Sequence, residues 1–355
     1  MEGFVVARRS SSFPEQDVMA IGRRLVESDV LVPGYTPSPR GLLDLVDLER
    51  DLLLGARFVL LTDRNLTSRM AWVAAHGLKS PLPPNDRTAI DLMAFSQAMD
   101  IAIEPSIAFH ELAGPHGNAA AHAELAWFRS ADQGNAQAWI DLAQGRSDQI
   151  AFSAPPSHGE EDLAFPLMRW RRNYVATLKI AELELTPMAP IDRILRLFDW
   201  MYDDFQWCGP AALFAVMYFG PRASRRGLLK DQRSHDRERA ISGARNAAWD
   251  ITHLSDFARR VNGGDPTDRY IFASTDRALV TLARLLPPAA AKADDFAHRV
   301  AQFSAWWPIA DATRLTQRML GLIERIDAGH QPRLAANPTD RFIAQGEVFL
   351  RQWSK

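Results

Sequence analysis

Two neighbouring stretches decide how this chain reads: Asn246-Ala-Ala-Trp-Asp-Ile-Thr-His-Leu-Ser-Asp-Phe-Ala-Arg-Arg260 and Asp268-Arg-Tyr-Ile-Phe-Ala-Ser-Thr-Asp-Arg-Ala-Leu279. In the first, Ala247, Ile251, Leu254, Ala258 and Val261 recur at helical spacing and predict an amphipathic helix. Asp250 falls on the edge of that apolar stripe, where a carboxylate is costly unless something positive meets it. The second stretch opens with a short apolar run, Tyr270 to Ala273, which reads as a buried strand. It ends in Ser274-Thr275-Asp276, and a helix is predicted through Leu286. Asp276 therefore stands where a strand feeds a helix, the edge of an open α/β sheet at which sites are built.

The same arrangement occurs earlier. Ala56-Arg-Phe-Val-Leu-Leu-Thr-Asp63 is a continuous β-prone run stopped by an acid, with a helix predicted from near Thr67. A third acid, Glu111, shares a helix face with Ile107, Ala108 and Leu112, downstream of Pro105, which suits a first helical turn. Gly114-Pro-His-Gly-Asn118 is expected to end that helix.

The rest of the chain reads as mostly helical. Helices are expected at 18–30, 42–54, 88–103, 119–145, 289–306 and 310–326, with a last amphipathic helix in the tail. The segment from Leu31 to Arg40, with three prolines and a glycine, is expected to be irregular. Within the long apolar stretch 174–219, Thr177 to Leu185 is a candidate strand. From Pro221 to Arg245 runs a basic segment carrying Arg222, Arg225, Arg226, Lys230, Arg233, Arg237, Arg239 and Arg245. It reads either as a phosphate-binding surface or as a solvated loop whose arginines meet its own acids, Asp231, Asp236 and Glu238.

Composition narrows the class. The 355 residues carry a formal net charge of −2, so no global field points to nucleic acid or membrane. Hydrophobic residues make up 47%, enough to bury a sizeable core. One cysteine, Cys208, precludes an intramolecular disulfide and fits a reducing compartment. No signal-peptide core and no membrane span are read, so the expected location is cytoplasmic, with no membrane partner.

Grouped carboxylates in a site of low dielectric need a counter-charge. A hard divalent cation, Mg²⁺ or Mn²⁺, supplies it, and one or two such ions suit phosphodiester cleavage. Neither a glycine-rich phosphate loop nor a paired Cys/His zinc set competes for that role.

These acids and their settings resemble the PIN-domain nucleases. Phe58-Val-Leu-Leu-Thr-Asp63-Arg-Asn65 resembles the family's opening strand, and Pro105-Ser-Ile-Ala-Phe-His-Glu111 its helix with a glutamate. Asn246-Ala-Ala-Trp-Asp250 resembles the helix bearing the third acid, and Ile271-Phe-Ala-Ser-Thr-Asp276 the late strand. The resemblance implies an α/β fold with a short parallel sheet flanked by helices. It also implies a large α-helical insertion at about 113–245, because the second and third acids are so far apart. In this reading 1–55 is an N-terminal helical extension, 56–286 the PIN-like nuclease domain and 287–355 a C-terminal helical extension. The implied activity is a metal-dependent endoribonuclease with RNA as substrate and DNA as the alternative. Asp63, Glu111, Asp250 and Asp276 would be catalytic and would bind Mg²⁺ or Mn²⁺, supported by Asn65, Asn246 and Thr275. Arg222, Arg225, Arg226 and Arg245 would hold substrate. An antitoxin or a second copy of the chain is the macromolecular partner this reading would add.

Two alternatives come from other classes. One is a non-catalytic, helix-rich nucleic-acid- or protein-binding relative, in which Asp63 and Asp276 merely cap helices. The other is a cysteine hydrolase: Cys208-Gly-Pro opens a long apolar helix, whose amino end lowers a thiol pKa. That chemistry also needs a strand-borne histidine, and His235, His253, His298 and His330 all sit in polar or helical contexts. His253 is expected at the surface.

Overall fold

The computed structural model describes residues 13–151, 159–224, 227–286, 295–330 and 338–354. It is a mixed α/β structure, mostly helical, with one small four-stranded sheet. The chain divides into two compact units, the first Met1–Pro166 with Arg259–Ala283, the second Leu167–Ala258 with Arg284–Lys355. Leu31–Pro33, from the stretch before residue 56, contributes a strand to that sheet. No described helix is long and apolar enough to cross a membrane.

The first unit contains α1 (Glu15–Glu27), β1 (Leu31–Pro33), α2 (Leu45–Leu53), β2 (Arg57–Thr62), α3 (Arg64–His76), α4 (Pro84–Met99), β3 (Ala102–Glu104), α5 (Ser106–Asp132) and α6 (Ala136–Ala143). β4 (Asp268–Ala273) and most of α11 (Arg277–Leu285) complete it. The strand order is β1-β4-β2-β3. β2 pairs in parallel with both β3 and β4, while β1 runs antiparallel to β4. The strands expected at 57–62 and 270–275 are thus direct neighbours, in register from Arg57 opposite Asp268 to Thr62 opposite Ala273. β2 is buried from Phe58 to Thr62, as its unbroken apolar run requires of a central strand.

Two short strands were not expected. Leu31–Pro33 pairs with Ile271–Ala273 where an irregular segment was anticipated. The helix predicted to reach Ile103 stops at Met99, because Asp100 takes a left-handed conformation (φ 55°), and Ala102–Glu104 then joins the sheet. α5 carries the expected break at Gly117 (φ 81°), after Pro115, but the chain resumes helix at once. The core fills with residues such as Phe58, Met70, Phe95, Phe109 and Trp139, whose indole N–H donates to the Ala131 carbonyl at 3.0 Å.

The second unit is helical. It holds α7 (Met168–Leu185), α8 (Pro190–Asp203), α9 (Gly209–Phe219), α10 (Arg237–Gly263, up to Ala258), α12 (Asp295–Phe303), α13 (Ile309–Asp327) and α14 (Thr339–Gln352). The candidate strand at 177–185 is instead the second half of α7. Nearly every residue from Asn173 to Leu185 is buried, so the helix shows no polar face and its 3.6 period is masked. The expected helix at 289–306 is described only from Asp295; its beginning lies outside the described residues.

Gly243 of α10 shows how closely this unit packs. A Cβ there would lie 2.1 Å from the Lys230 carbonyl oxygen. Overpacking of a core costs about 1–3 kcal/mol and sometimes more. Gly243→Ala should therefore lose at least the upper part of that range in urea denaturation, and a wild-type midpoint in the variant would contradict this packing.

Candidate active site

The parallel strands β2, β3 and β4 all end at one edge, and each ends beside an acid. Asp63 follows β2, Glu104 closes β3, and Asp276 lies three residues past β4. β3 lies on one side of β2 and β4, the later strand, on the other, so the strand order reverses at β2, and at such a reversal open α/β sheets place ligands.

Asp63 is 2% exposed. Its backbone N–H donates to the Ala273 carbonyl at 3.1 Å, which locks the end of β2 to the end of β4. Its carboxylate caps α3: Oδ1 accepts from the Leu66 N–H at 2.9 Å. Oδ2 accepts from the Ser274 hydroxyl at 2.5 Å. The same Ser274 oxygen accepts from the Asp276 N–H at 2.9 Å. Asp276 in turn caps α11, with Oδ1 accepting from the N–H groups of Ala278 (2.8 Å) and Leu279 (3.3 Å). One fully buried serine thus ties the two aspartates together. Beneath them, the Thr62 and Thr67 hydroxyls lie 2.8 Å apart, and Thr67 Oγ1 donates to the Asp63 carbonyl at 2.9 Å.

The arginines next to these acids are turned elsewhere. Arg64 makes a bidentate pair with Glu124 at 2.6 and 3.0 Å, and Arg277 reaches Asp29 at 3.2 Å. Glu104 accepts from the Ser106 N–H at 2.9 Å and has Arg260 at 3.6 Å. Thr275 is half-buried beside the pair, and Asn65 is exposed in the first turn of α3. Glu111 is half-buried in α5, the helix that follows β3.

The remaining expected residues fall elsewhere. Asp250, half-buried, and Asn246, exposed, are on the part of α10 that belongs to the second unit. The four acids are therefore divided three and one between the units. Arg245 is also in the second unit, paired with Glu347 at 2.8 Å. Arg222 is exposed, and Arg225 and Arg226 lie outside the described residues. Several arginines of the basic segment are matched within the second unit, with Arg233 on Glu184, Arg239 on Asp231, and Arg237 donating to the carbonyls of Gln232, Ser234 and Leu350.

Among the described residues, no group of three or more histidine, cysteine, aspartate or glutamate side chains stands close enough to hold a metal ion. A comparison with protein-family models, curated proteins and solved structures finds no match to this chain. Asp63 and Asp276 are the carboxylates that the Ser274 bridge brings together at the sheet edge. Mg²⁺ is commonly held by one or two carboxylates, with water and substrate phosphate completing its shell.

Sequence reasoning did not single out Ser274 or Glu104. Ser274 was legible only as part of Ser-Thr-Asp, and Glu104 only once β3 is known.

Cys208 caps the amino end of α9, as its Cys-Gly-Pro setting suggests. Its thiol donates to Asn173 Oδ1 at 3.2 Å. Burial pushes its pKa up to about 11, against the smaller lowering effects of hydrogen bonds from Ala211 and Ser255. The described strands carry no histidine, and His253 is 6% exposed rather than at the surface. With that pKa, only on the order of a thousandth of the thiol is ionised at pH 8. Iodoacetamide should accordingly label native Cys208 far more slowly than the urea-unfolded chain, and Cys208→Ser should keep whatever activity the wild type has. Rapid native labelling at pH 7 would reverse both expectations.

Proposed function

We propose that the chain is a metal-dependent ribonuclease of PIN-like type whose working edge is the carboxyl end of β2 and β4. One observation carries the reading: Asp63 and Asp276 follow adjacent parallel strands and are joined through Ser274. Asp276 with Asp63 would hold the ion, and Glu104 and Glu111 follow the same sheet edge in sequence. Mg²⁺ or Mn²⁺ bound there would supply an activated water and stabilise developing charge on a scissile phosphate.

The chain's own groups do the positioning. Ser274 fixes the Asp63 carboxylate and the Asp276 backbone at once, so neither can swing without breaking a buried hydrogen bond. The amino ends of α3 and α11 open at this same edge, and their dipoles favour ionised carboxylates and a bound phosphate. Thr275, half-buried between Ser274 and Asp276, would orient a water or a phosphate oxygen.

A second reading also has an observation behind it. Both oxygens of Asp63 are engaged in local structure, and no three-ligand group is present among the described residues. A non-catalytic relative that keeps these acids as helix caps would look like this. The test is cleavage of end-labelled single-stranded and structured RNA, with a DNA control, in Mn²⁺, in Mg²⁺ and in EDTA. The nuclease reading expects cleavage in metal that EDTA abolishes. No cleavage under any condition, together with no Mn²⁺ binding by calorimetry, would leave the cap reading standing.

A further inference from the structure

In the second unit, α8, α12 and α13 frame an open groove of about 850 Å³. Arg314, Arg318, Gly321 and Arg325 of α13 line it. Their spacing, i, i+4, i+7 and i+11, puts them on one stripe of the helix. At 1.5 Å rise per residue the stripe spans roughly 16 Å. The glycine leaves a gap in it, since a Cβ at Gly321 would meet nothing within 4 Å.

The charges along the stripe are only partly balanced. Arg318 is taken by Asp199, with Nε donating at 2.8 Å and Nη2 at 2.5 Å. Among the described residues, Arg314 and Arg325 have no carboxylate partner; the Arg325 guanidinium lies 4.5 Å over the Tyr202 ring. Glu324 is the other acid of the lining, exposed at the rim. Across from the stripe stands Phe296 of α12, an aromatic ring left 45% exposed, with Leu320 beside the arginines.

Two guanidinium groups without carboxylate partners, in a groove also lined by an exposed aromatic ring, suit a chain of phosphates that also carries flat apolar groups. Single-stranded nucleic acid has that chemistry: cations track its backbone and its bases stack on aromatic side chains. We propose that this groove binds single-stranded RNA, with Arg314 and Arg325 on phosphates and Phe296 against a base. The choice of RNA as the polyanion rests on the nuclease reading; the groove itself does not depend on the sheet-edge acids.

The test is binding of a fluorescein-labelled twelve-nucleotide single-stranded RNA to the full chain, by anisotropy in EDTA, so that no chemistry intervenes. Arg314→Glu with Arg325→Glu should weaken binding at least tenfold. The paired glutamine substitutions should act in the same direction and lower the slope of log K against log salt by about 1.4, two phosphates at about 0.7 each. Glu324→Gln should tighten binding, Phe296→Ala should weaken it, and a duplex of equal length should bind less well. Circular dichroism melts check that the variants are folded. A wild-type chain that does not bind the RNA, or glutamine variants that bind like wild type, would overturn the proposal. So would a tenfold loss from Arg222→Glu that the α13 variants do not show. Binding that behaves as expected in a protein that cleaves nothing would count against the nuclease reading and leave the groove in place.

Discussion

Asp276→Asn is expected to reduce Mn²⁺-dependent RNA cleavage by roughly 10²-fold or more, the scale of removing one preorganised electrostatic group from a site. The substitution is chosen because it isolates charge. Asparagine caps a helix about as well as aspartate, so the bonds from Ala278 and Leu279 to Oδ1 can persist and melting should stay close to wild type. Asp63→Asn is less clean, because the amide has one oxygen where the buried carboxylate uses two, Oδ1 for the Leu66 N–H and Oδ2 for the Ser274 hydroxyl. It should lose activity and some stability together. Ser274→Ala should give a smaller loss of rate, with the Mn²⁺ requirement shifted to higher concentration, because the hydroxyl positions both acids but carries no charge. Full wild-type activity in Asp276→Asn, at equal protein and metal, would end the mechanism proposed for this edge.

The second large effect concerns stability. Asp91 of α4 is 2% exposed, and Arg24 of α1 holds it with Nε at 2.9 Å and Nη2 at 2.6 Å. Arg24→Leu would strand that carboxylate. Breaking a buried pair by removing one partner costs about 3–5 kcal/mol, and the one-third exposure of Arg24 argues for the lower end. Asp91 is already held above the ordinary carboxylate pKa by burial, against the lowering effects of Arg24 and Arg87. A folded pKa above the unfolded one means that stability from this group is present at low pH and lost as pH rises through the folded value. Removing Arg24 widens the gap. The deficit of the variant should therefore be largest at pH 7 and shrink as pH falls toward 4, in urea titrations at each pH. A deficit independent of pH would mean that lost packing, not the stranded charge, is the cause.

The legible parts of this fold share a property. β2 and β4 announce themselves because a continuous β-prone run in a central strand has no competing period. Arg57–Thr62 and Asp268–Ala273 show it, and each is closed by an acid that caps the next helix. β1 and β3 escaped for the opposite reason. Three residues are too few to set a period, and Ile101 and Ile103 continue the apolar rhythm of α4 past Asp100, where the backbone breaks. Thr177–Leu185 misleads because a helix buried on all sides loses the polar face that identifies it. The individual acids of the candidate site could be read from local pattern. Their partition could not, since Asp250 lies only 26 residues before Asp276 in sequence yet belongs to a different compact unit. Ser274 was hidden for a simpler reason: a hydroxyl that bridges two carboxylates is visible only once β2 and β4 are side by side.

The unequal lengths of the strands bear on how the chain survives its own synthesis. A sheet recruits foreign strands through its outermost members, and here those are β1 and β3, three residues each. β1 also ends in Pro33, which has no N–H to offer a docking strand. The long, sticky segments, β2 and β4, are the ones most prone to cross-β stacking, and they are enclosed by these short members on either side. Lengthening β1, or exchanging Pro33 for valine, would turn the margin of the sheet into a template, with thioflavin-positive deposits as the visible result.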